Sequence, residues 1–357
     1  MSNIFVRSPY IISINEAGQT GSSVRLFIWN GTGAQPSSPA YTLSKLIPSS
    51  TNTLTTYDIS EYVREYISHK LFSNIYNYNA TTPVSEWCNV VVKRYATVGG
   101  KSVVLTTTTH KAFDGYGYYE QGYNPSLGNY LLDNNRTFYY SYDLSTNLPT
   151  DFLKRAGIIT LDAILGYKIK RTNLSTLATN TFTIGNNLVM DTFRVDPNWL
   201  AVGNKVEIFN ASDVLQWTGT FKPITSCKYE PVVVDFINKL GGWQREFFFK
   251  ASNTNINIET SEYNLLQTNL VNYSILEGQR RTFNTNGKES IKCNTDWVSE
   301  DYSETIKQLM LSDRILVNNK PAKMNTKSTE LFKSINTKMI NYEMTFDIAN
   351  EIINSVV

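Results

Sequence analysis

Residues able to do acid–base, nucleophilic or metal chemistry are few and scattered. The 357 residues include two histidines, His69 and His110. His110 stands four positions before Asp114, and an imidazole beside a carboxylate suits proton transfer. No nucleophile or metal partner is identifiable beside that pair. His69 falls near the end of an expected helix, where the dipole favours a cationic side chain. Cys88, Cys227 and Cys293 are far apart, with no CxxC or Cys/His cluster, so no zinc spacing exists. Their odd count rules out a full disulfide framework and fits reduced thiols in bacterial cytoplasm. Tyr116-Gly117-Tyr118 and Gly241-Gly242 both lack the strand–loop–helix context of a phosphate loop. Glycan hydrolysis needs two carboxylates framing a cleft, and no such pair is identifiable. These observations point away from an enzyme: no catalytic, cofactor-binding or metal-binding residue is assigned.

Charge is equally uninformative about nucleic acid. The formal net charge is +2. The basic runs are Lys168-Ile169-Lys170-Arg171 and Arg280-Arg281, too little for a phosphate-neutralising patch. Charged residues make up 18% of the chain, below the usual quarter. Asn, Thr, Ser and Tyr take up the difference, and about one residue in ten is Asn. A surface of neutral polar side chains suits a protein covered by neighbours; codon bias of an AT-rich genome would give the same composition. No apolar run approaches the ~20 residues of a membrane helix. Met1-Ser2-Asn3-Ile4 leads straight into strand-like sequence, so no signal peptide is expected.

The elements that must hold these residues read mostly as strands. Residues 4–14, 24–29 and 41–47 have strand character, with Gly- and Ser-rich loops between them. One helix is expected over 59–71: Asp58 can cap it, Glu61 can complete a capping box, and Ile59, Tyr62, Val63, Tyr66 and Ile67 share one face. Trp87–Ala96 and Lys101–Thr109 form a strand pair about Thr97–Gly100. Strand-length runs then recur about every ten residues from Gly157 to Phe221, the spacing of a sandwich or barrel. Pro231–Ile237 and Trp243–Phe249 read as a hairpin turning at Asn238–Gly242. A second hairpin is expected about Thr285-Asn286-Gly287. Ser303–Met310 reads as a helix capped by Ser303, and 347–357 as a closing helix. The fold class is mainly β: two or three β-sandwich-like domains with a few short helices. The expected domains are 1–150 (with the helix 59–71), 151–260, and an α+β domain 261–357.

Residues 110–130 stand apart. Five tyrosines and four glycines make this a long aromatic loop. Tyrosine offers large contact area at low entropy cost, so Tyr116, Tyr118, Tyr119 and Tyr123 are the candidate interface residues. The same tyrosines could instead fold back on their own domain.

Several segments together resemble a known class. Tyr229-x-Pro231, the Val-rich strand ending in Phe236-x-Asn238, then Gly-Gly-Trp-Gln and Phe-Phe-Phe-Lys, resemble β-rich virion proteins of tailed bacteriophages. The similarity is to ring-type proteins stacked below the portal in crAss-like phages of Bacteroidales. Phe5–Tyr10 with Tyr57–Ser60 resembles their N-terminal β-domain, and Asn341–Ala349 their closing strand. The resemblance implies a homo-oligomeric ring, twelvefold, in the tail or portal-proximal barrel. Its implied neighbours are the portal and other tail rings, with DNA passing nearby, no membrane contact, and assembly in the host cytoplasm before incorporation into the virion. It carries no catalytic residues. A tail fibre or carbohydrate-binding module is the competing expectation. It is disfavoured because no elongated C-terminal repeat is present, and fold alone does not decide function.

Overall fold

The structure is a computed structural model that describes residues 3–31, 33–48, 51–69, 86–141, 157–163, 165–185, 188–194, 199–224, 229–265, 276, 278–330 and 339–353. It is mainly β with sandwich-like packing, as the strand spacing predicts. The chain divides into two compact units, residues 1–223 with 237–244, and 224–236 with 245–357. This division differs from the expected boundaries. Residue 150 lies outside the described residues, and residue 260 lies within a strand.

The first unit opens with β1 (Asn3–Phe5), β2 (Ile11–Ile14), β3 (Gln19–Asn30), β4 (Tyr41–Leu46), β5 (Thr55–Asp58), β6 (Trp87–Val98) and β7 (Lys101–Phe113). One sheet has the order β1-β7-β6-β3-β4, and β2 pairs with β5 in a second. The expected strand 4–14 is thus two strands in different sheets. Alternation explains the packing. Val24, Leu26 and Ile28 of β3 and Val90 and Val92 of β6 share a buried face with Ile12, Ile14 and Tyr57 from the small sheet. The β6–β7 hairpin turns at Gly99 and Gly100, with φ of +57° and +77°. Two successive positive φ values match the strand twist, and glycine alone takes both without strain.

The expected helix exists but is short. Helix α1 covers Ser60–Arg64. Asp58 Oδ1 accepts from Ser60 N at 3.0 Å and Ser60 Oγ at 2.7 Å. The Asp58–Glu61 capping box does not form, because Ile59 holds the cap position without a side-chain bond. The bonds Tyr66 N to Val63 O and Ile67 N to Arg64 O span three residues, so the last turn tightens and stops. Ile59 and Val63 are buried in the core, and Tyr62, Tyr66 and Ile67 pack around them, as the periodicity predicts. Residues 70–71 of the expected helix lie outside the described residues.

The rest of the first unit carries β8 (Arg136–Ser141), β9 (Gly157–Ala163), β10 (Lys168–Asn173), β11 (Thr179–Thr183), β12 (Leu188–Arg194), β13 (Asn204–Phe209) and β14 (Leu215–Ile224). Five of these form a sheet of order β11-β10-β13-β14-β8, and β9 pairs with β12. Trp217, Val206, Ile208 and Ile169 are buried, and Phe138 stacks on Phe221 at 5.1 Å.

The second unit is built on one seven-stranded sheet. Its strands are β15 (Val232–Ile237), β16 (Trp243–Phe248), β17 (Asn253–Asn264), β18 (Arg280–Ser299), β19 (Ile315–Val317), β20 (Lys320–Met324) and β21 (Met339–Glu351). The order is β16-β15-β19-β20-β21-β18-β17. Helix α2 (Ser303–Met310) forms where predicted and buries Ile306 and Leu309, but its cap position is Tyr302, not Ser303. Tyr302 donates its hydroxyl to Glu246 Oε2 at 2.7 Å.

Two further expectations fail here. No hairpin turns at Thr285–Gly287; β18 runs unbroken through it for 20 residues. Asn286 and Gly287 are used differently. The Asn286 amide bonds to Glu351 and to the Ile353 backbone, and a Cβ on Gly287 would lie 2.9 Å from Ile352 Cδ1. Glycine is there for the close approach of the neighbouring strand. The closing helix is also absent through residue 353. β21 continues to Glu351, with Tyr342, Met344, Phe346 and Ile348 alternately buried between β18 and β20. Pairing on both sides overrides the weak helical preference of Asp347–Ile353. Residues 354–357 lie outside the described residues.

Candidate functional site

The acid–base pair suggested by spacing is not the pair that forms. His110 belongs to β7, so the aromatic loop begins later than its sequence suggests. Its ring lies 2.8 Å from Thr108 Oγ1 and 3.5 Å from the Tyr10 hydroxyl. Asp114 instead meets His69, with Nε2 3.1 Å from Oδ2, and Arg64 Nε stands 3.7 Å from Oδ1. Both His69 and Asp114 are buried, and Trp243 packs edge-on to the imidazole at 6.1 Å. Nearby Glu86 is buried, and burial pushes its carboxyl up to about 7 against a weaker opposing hydrogen bond with Trp243. Enclosed in packed side chains, the His69–Asp114 pair is a clamp between residue 69 and the start of the aromatic loop. Sequence could not pair residues 45 positions apart.

Beside the clamp, the hairpin turn 237–244 meets the aromatic loop. Asn238 Oδ1 accepts from Leu240 N at 3.0 Å and Gly242 N at 3.1 Å; its Nδ2 donates to Leu131 O at 2.6 Å and Gln244 Oε1 at 3.1 Å. One fully buried amide thus ties the turn and pins it to residue 131. The loop is anchored equally well. Tyr116 N donates to Lys239 O, Gly117 N to Ser8 Oγ, and Asn124 N to Pro9 O, at 2.7–3.0 Å.

These anchors divide the four candidate tyrosines. Tyr116 is buried under the Arg7 guanidinium, 4.6 Å from its ring centroid. Tyr118 is half-buried beneath the Lys239 ammonium, at 4.0 Å. Tyr119 is 99% exposed and Tyr123 68%. Only the latter pair presents open area on the loop.

A polar cleft of about 460 Å³ opens next to this loop. Gln121, Asn129, Asp133, Asn134, Tyr130 and Tyr167 line it. Its floor includes Trp217, whose indole N–H is already given to Leu132 O at 3.0 Å.

An extended exposed ribbon lies in the second unit. β17 is exposed at every residue, and so is most of the facing start of β18. Register places Ile256 opposite Glu289 and Ile258 opposite Gly287, on one face of the ribbon; Tyr263 lies on the other. Phe283 is the extra residue of a bulge and meets the Tyr263 ring at 6.1 Å. Ile258 and Phe283 are 65% and 67% exposed. Among the described residues β17 also ends its sheet, with no strand paired to its other edge. The sequence signal for this strand is the alternation Asn255-Ile256-Asn257-Ile258.

The basic run 168–171 is engaged by neighbouring side chains. Lys168 pairs with Asp213 at 2.7 Å, Lys170 with Glu207 at 3.6 Å, and Arg171 lies over the Phe182 ring. Cys88 and Cys293 are buried free thiols; burial pushes Cys88 up to about 12. Cys227 lies outside the described residues. Among the described residues no group of three His, Cys, Asp or Glu side chains could hold a metal, and no helix is long and apolar enough to cross a membrane. No family model matches the chain, and no curated protein or solved structure matches it.

Proposed function

We propose that this protein is a structural component of a tailed-phage virion, a subunit of a homo-oligomeric ring in the tail or portal-proximal barrel. The observation that carries the reading is the β17–β18 ribbon. Twelve consecutive exposed residues bearing Ile256, Ile258 and Tyr263 are an aggregation hazard in a free monomer. Covered by the next copy, they become an interface. Past the last β21 pairing at Lys288, residues 258–264 continue opposite 280–287 for about 24 Å at about 3.4 Å per residue, long enough to reach a neighbouring subunit.

A ring requires heterologous contacts, in which two different patches of one chain meet. The ribbon supplies one. Tyr119 and Tyr123, or the open edge of β4 with Leu46 exposed, supply candidates for the other. Twelvefold symmetry, the portal and tail-ring neighbours and proximity to DNA rest on the family resemblance alone. The test is electron cryo-microscopy of the assembled particle. The expected result is a closed ring with β17 against an adjacent copy. A threefold fibre with residues 110–130 in solvent would overturn the ring and favour the receptor-binding alternative.

A further inference from the structure

The cleft beside the aromatic loop has a lining that chain packing alone does not require. Four of its side chains are primary amides; Gln216 gives its NH2 to Val214 O at 3.2 Å, and the other three are held by their oxygens. Asn134 Oδ1 accepts from Thr218 N at 2.8 Å, and Gln121 Oε1 from Tyr118 N at 2.9 Å. A backbone N–H can only donate, so oxygen and nitrogen are fixed in both amides. Asn129 follows by one more step. Asn3 Nδ2 donates to Gly128 O at 3.4 Å, which identifies it as nitrogen, and the same group donates to Asn129 Oδ1 at 3.2 Å. Among the described residues none of these three NH2 groups makes a hydrogen bond, so each remains a donor on a residue that lines the cleft. Asp133 adds an acceptor, and the part-exposed rings of Tyr130 and Tyr167 add apolar faces.

We propose that this cleft binds a saccharide. A sugar ring offers hydroxyl and ring oxygens to the three amide donors, a hydroxyl hydrogen to Asp133, and a C–H face to Tyr130 or Tyr167. The cleft volume of about 460 Å³ lies within the range of small-ligand sites. Other ligand classes fit less well. An apolar molecule would leave the three donors without acceptors, which is costly once water is displaced. A phosphate would face the Asp133 carboxylate, and the cleft's lysine, Lys239, already lies over the Tyr118 ring. The inference does not depend on the ring reading; a ring subunit and a fibre could each carry such a site.

Two substitutions isolate the donors. Asn134→Asp and Gln121→Glu keep the oxygen that accepts the backbone N–H and replace only the outward NH2 with a carboxylate oxygen. The probes are methyl glycosides of glucose, galactose, mannose, fucose and N-acetylglucosamine, read by saturation-transfer NMR on the intact protein. At least one glycoside should bind, and each variant should weaken it by about tenfold or more with unchanged circular dichroism. If N134D fails to fold, Q121E, on an exposed turn, carries the test. Absence of saturation transfer from every glycoside at millimolar concentration, or equal binding by folded variants, overturns the proposal.

Discussion

Gly241 packs its backbone directly on that of Gly115. A Cβ on Gly241 would lie 2.8 Å from the Gly115 nitrogen, and one on Gly115 would lie 2.6 Å from Phe5 Cδ1 and 2.7 Å from Lys239 O. No side chain fits between the hairpin turn and the start of the aromatic loop. Gly115→Ala should therefore cost about 1–3 kcal/mol through overpacking. Gly241→Ala adds left-handed backbone strain of about 1–2 kcal/mol, since its φ is +85°. Gly99→Ala is the control, because φ is +57° but nothing lies within 4 Å of its Cβ, so strain acts alone. Urea unfolding of the three variants should rank Gly99→Ala mildest. Equal losses at all three positions would contradict the close approach.

Glu86 gives the stability a definite pH dependence. Its folded value of about 7 lies above the unfolded carboxylate value of 4.5, so the folded state binds the proton more tightly. This group's contribution is most favourable below about pH 4.5 and is lost as pH rises through about 7. The full loss is on the order of 3 kcal/mol. Glu86→Gln keeps an acceptor for Trp243 and removes the titration. The variant should be more stable than the parent at pH 8, with the difference shrinking toward pH 5. A difference that grows as pH falls would reverse the assignment.

Asp235 and Arg245 form a buried ion pair in the β15–β16 hairpin stem, with Arg245 Nε 2.6 Å from Asp235 Oδ1. Removing one partner strands the other charge away from water. Arg245→Ala should cost about 3–5 kcal/mol. Replacing both residues with apolar ones of similar size, Asp235→Leu with Arg245→Met, should recover much of that loss. A double-mutant cycle by chemical denaturation measures the coupling, and additive losses would count against it.

Substitutions on the ribbon should separate assembly from folding. Ile258→Asp and Phe283→Asp alter exposed positions, so monomer stability should stay within about 0.5 kcal/mol. Incorporation into particles, or self-association of purified protein, should fall sharply. Normal assembly by both variants would remove the ribbon from the interface.

Alternation made most of the fold legible. The buried sets of β3 and β6, the Gly99-Gly100 turn and the apolar face of α1 follow from residue type and spacing alone. Two failures share a cause: long-range pairing decided what local preference left open. Asn286-Gly287 has the composition of a turn, yet Glu351 and Ile352 hold it within a strand. Residues 347–351 have helical preference, yet β18 and β20 claim both edges. Little of the candidate site was legible. The aromatic loop announced itself by composition, but Arg7 and Lys239, which cover Tyr116 and Tyr118, are distant in sequence. His69 finds Asp114 only through the fold. Of the cleft amides held by their oxygens, Asn134 is oriented by the Thr218 backbone and Asn129 by the Asn3 side chain, both distant in sequence; Gln121 is held locally, by Tyr118 N.

The unbroken course of β18 has a mechanical consequence. Its residues 280–292 face β17, its residues 288–299 pair with β21, and the two pairings overlap at 288–292. A pull on the ribbon along its axis reaches the sheet through one continuous backbone. The β18–β21 bonds, which lie across the strands, are then loaded together in shear instead of being peeled apart singly. An arm built this way resists tension far better than one attached through a flexible loop.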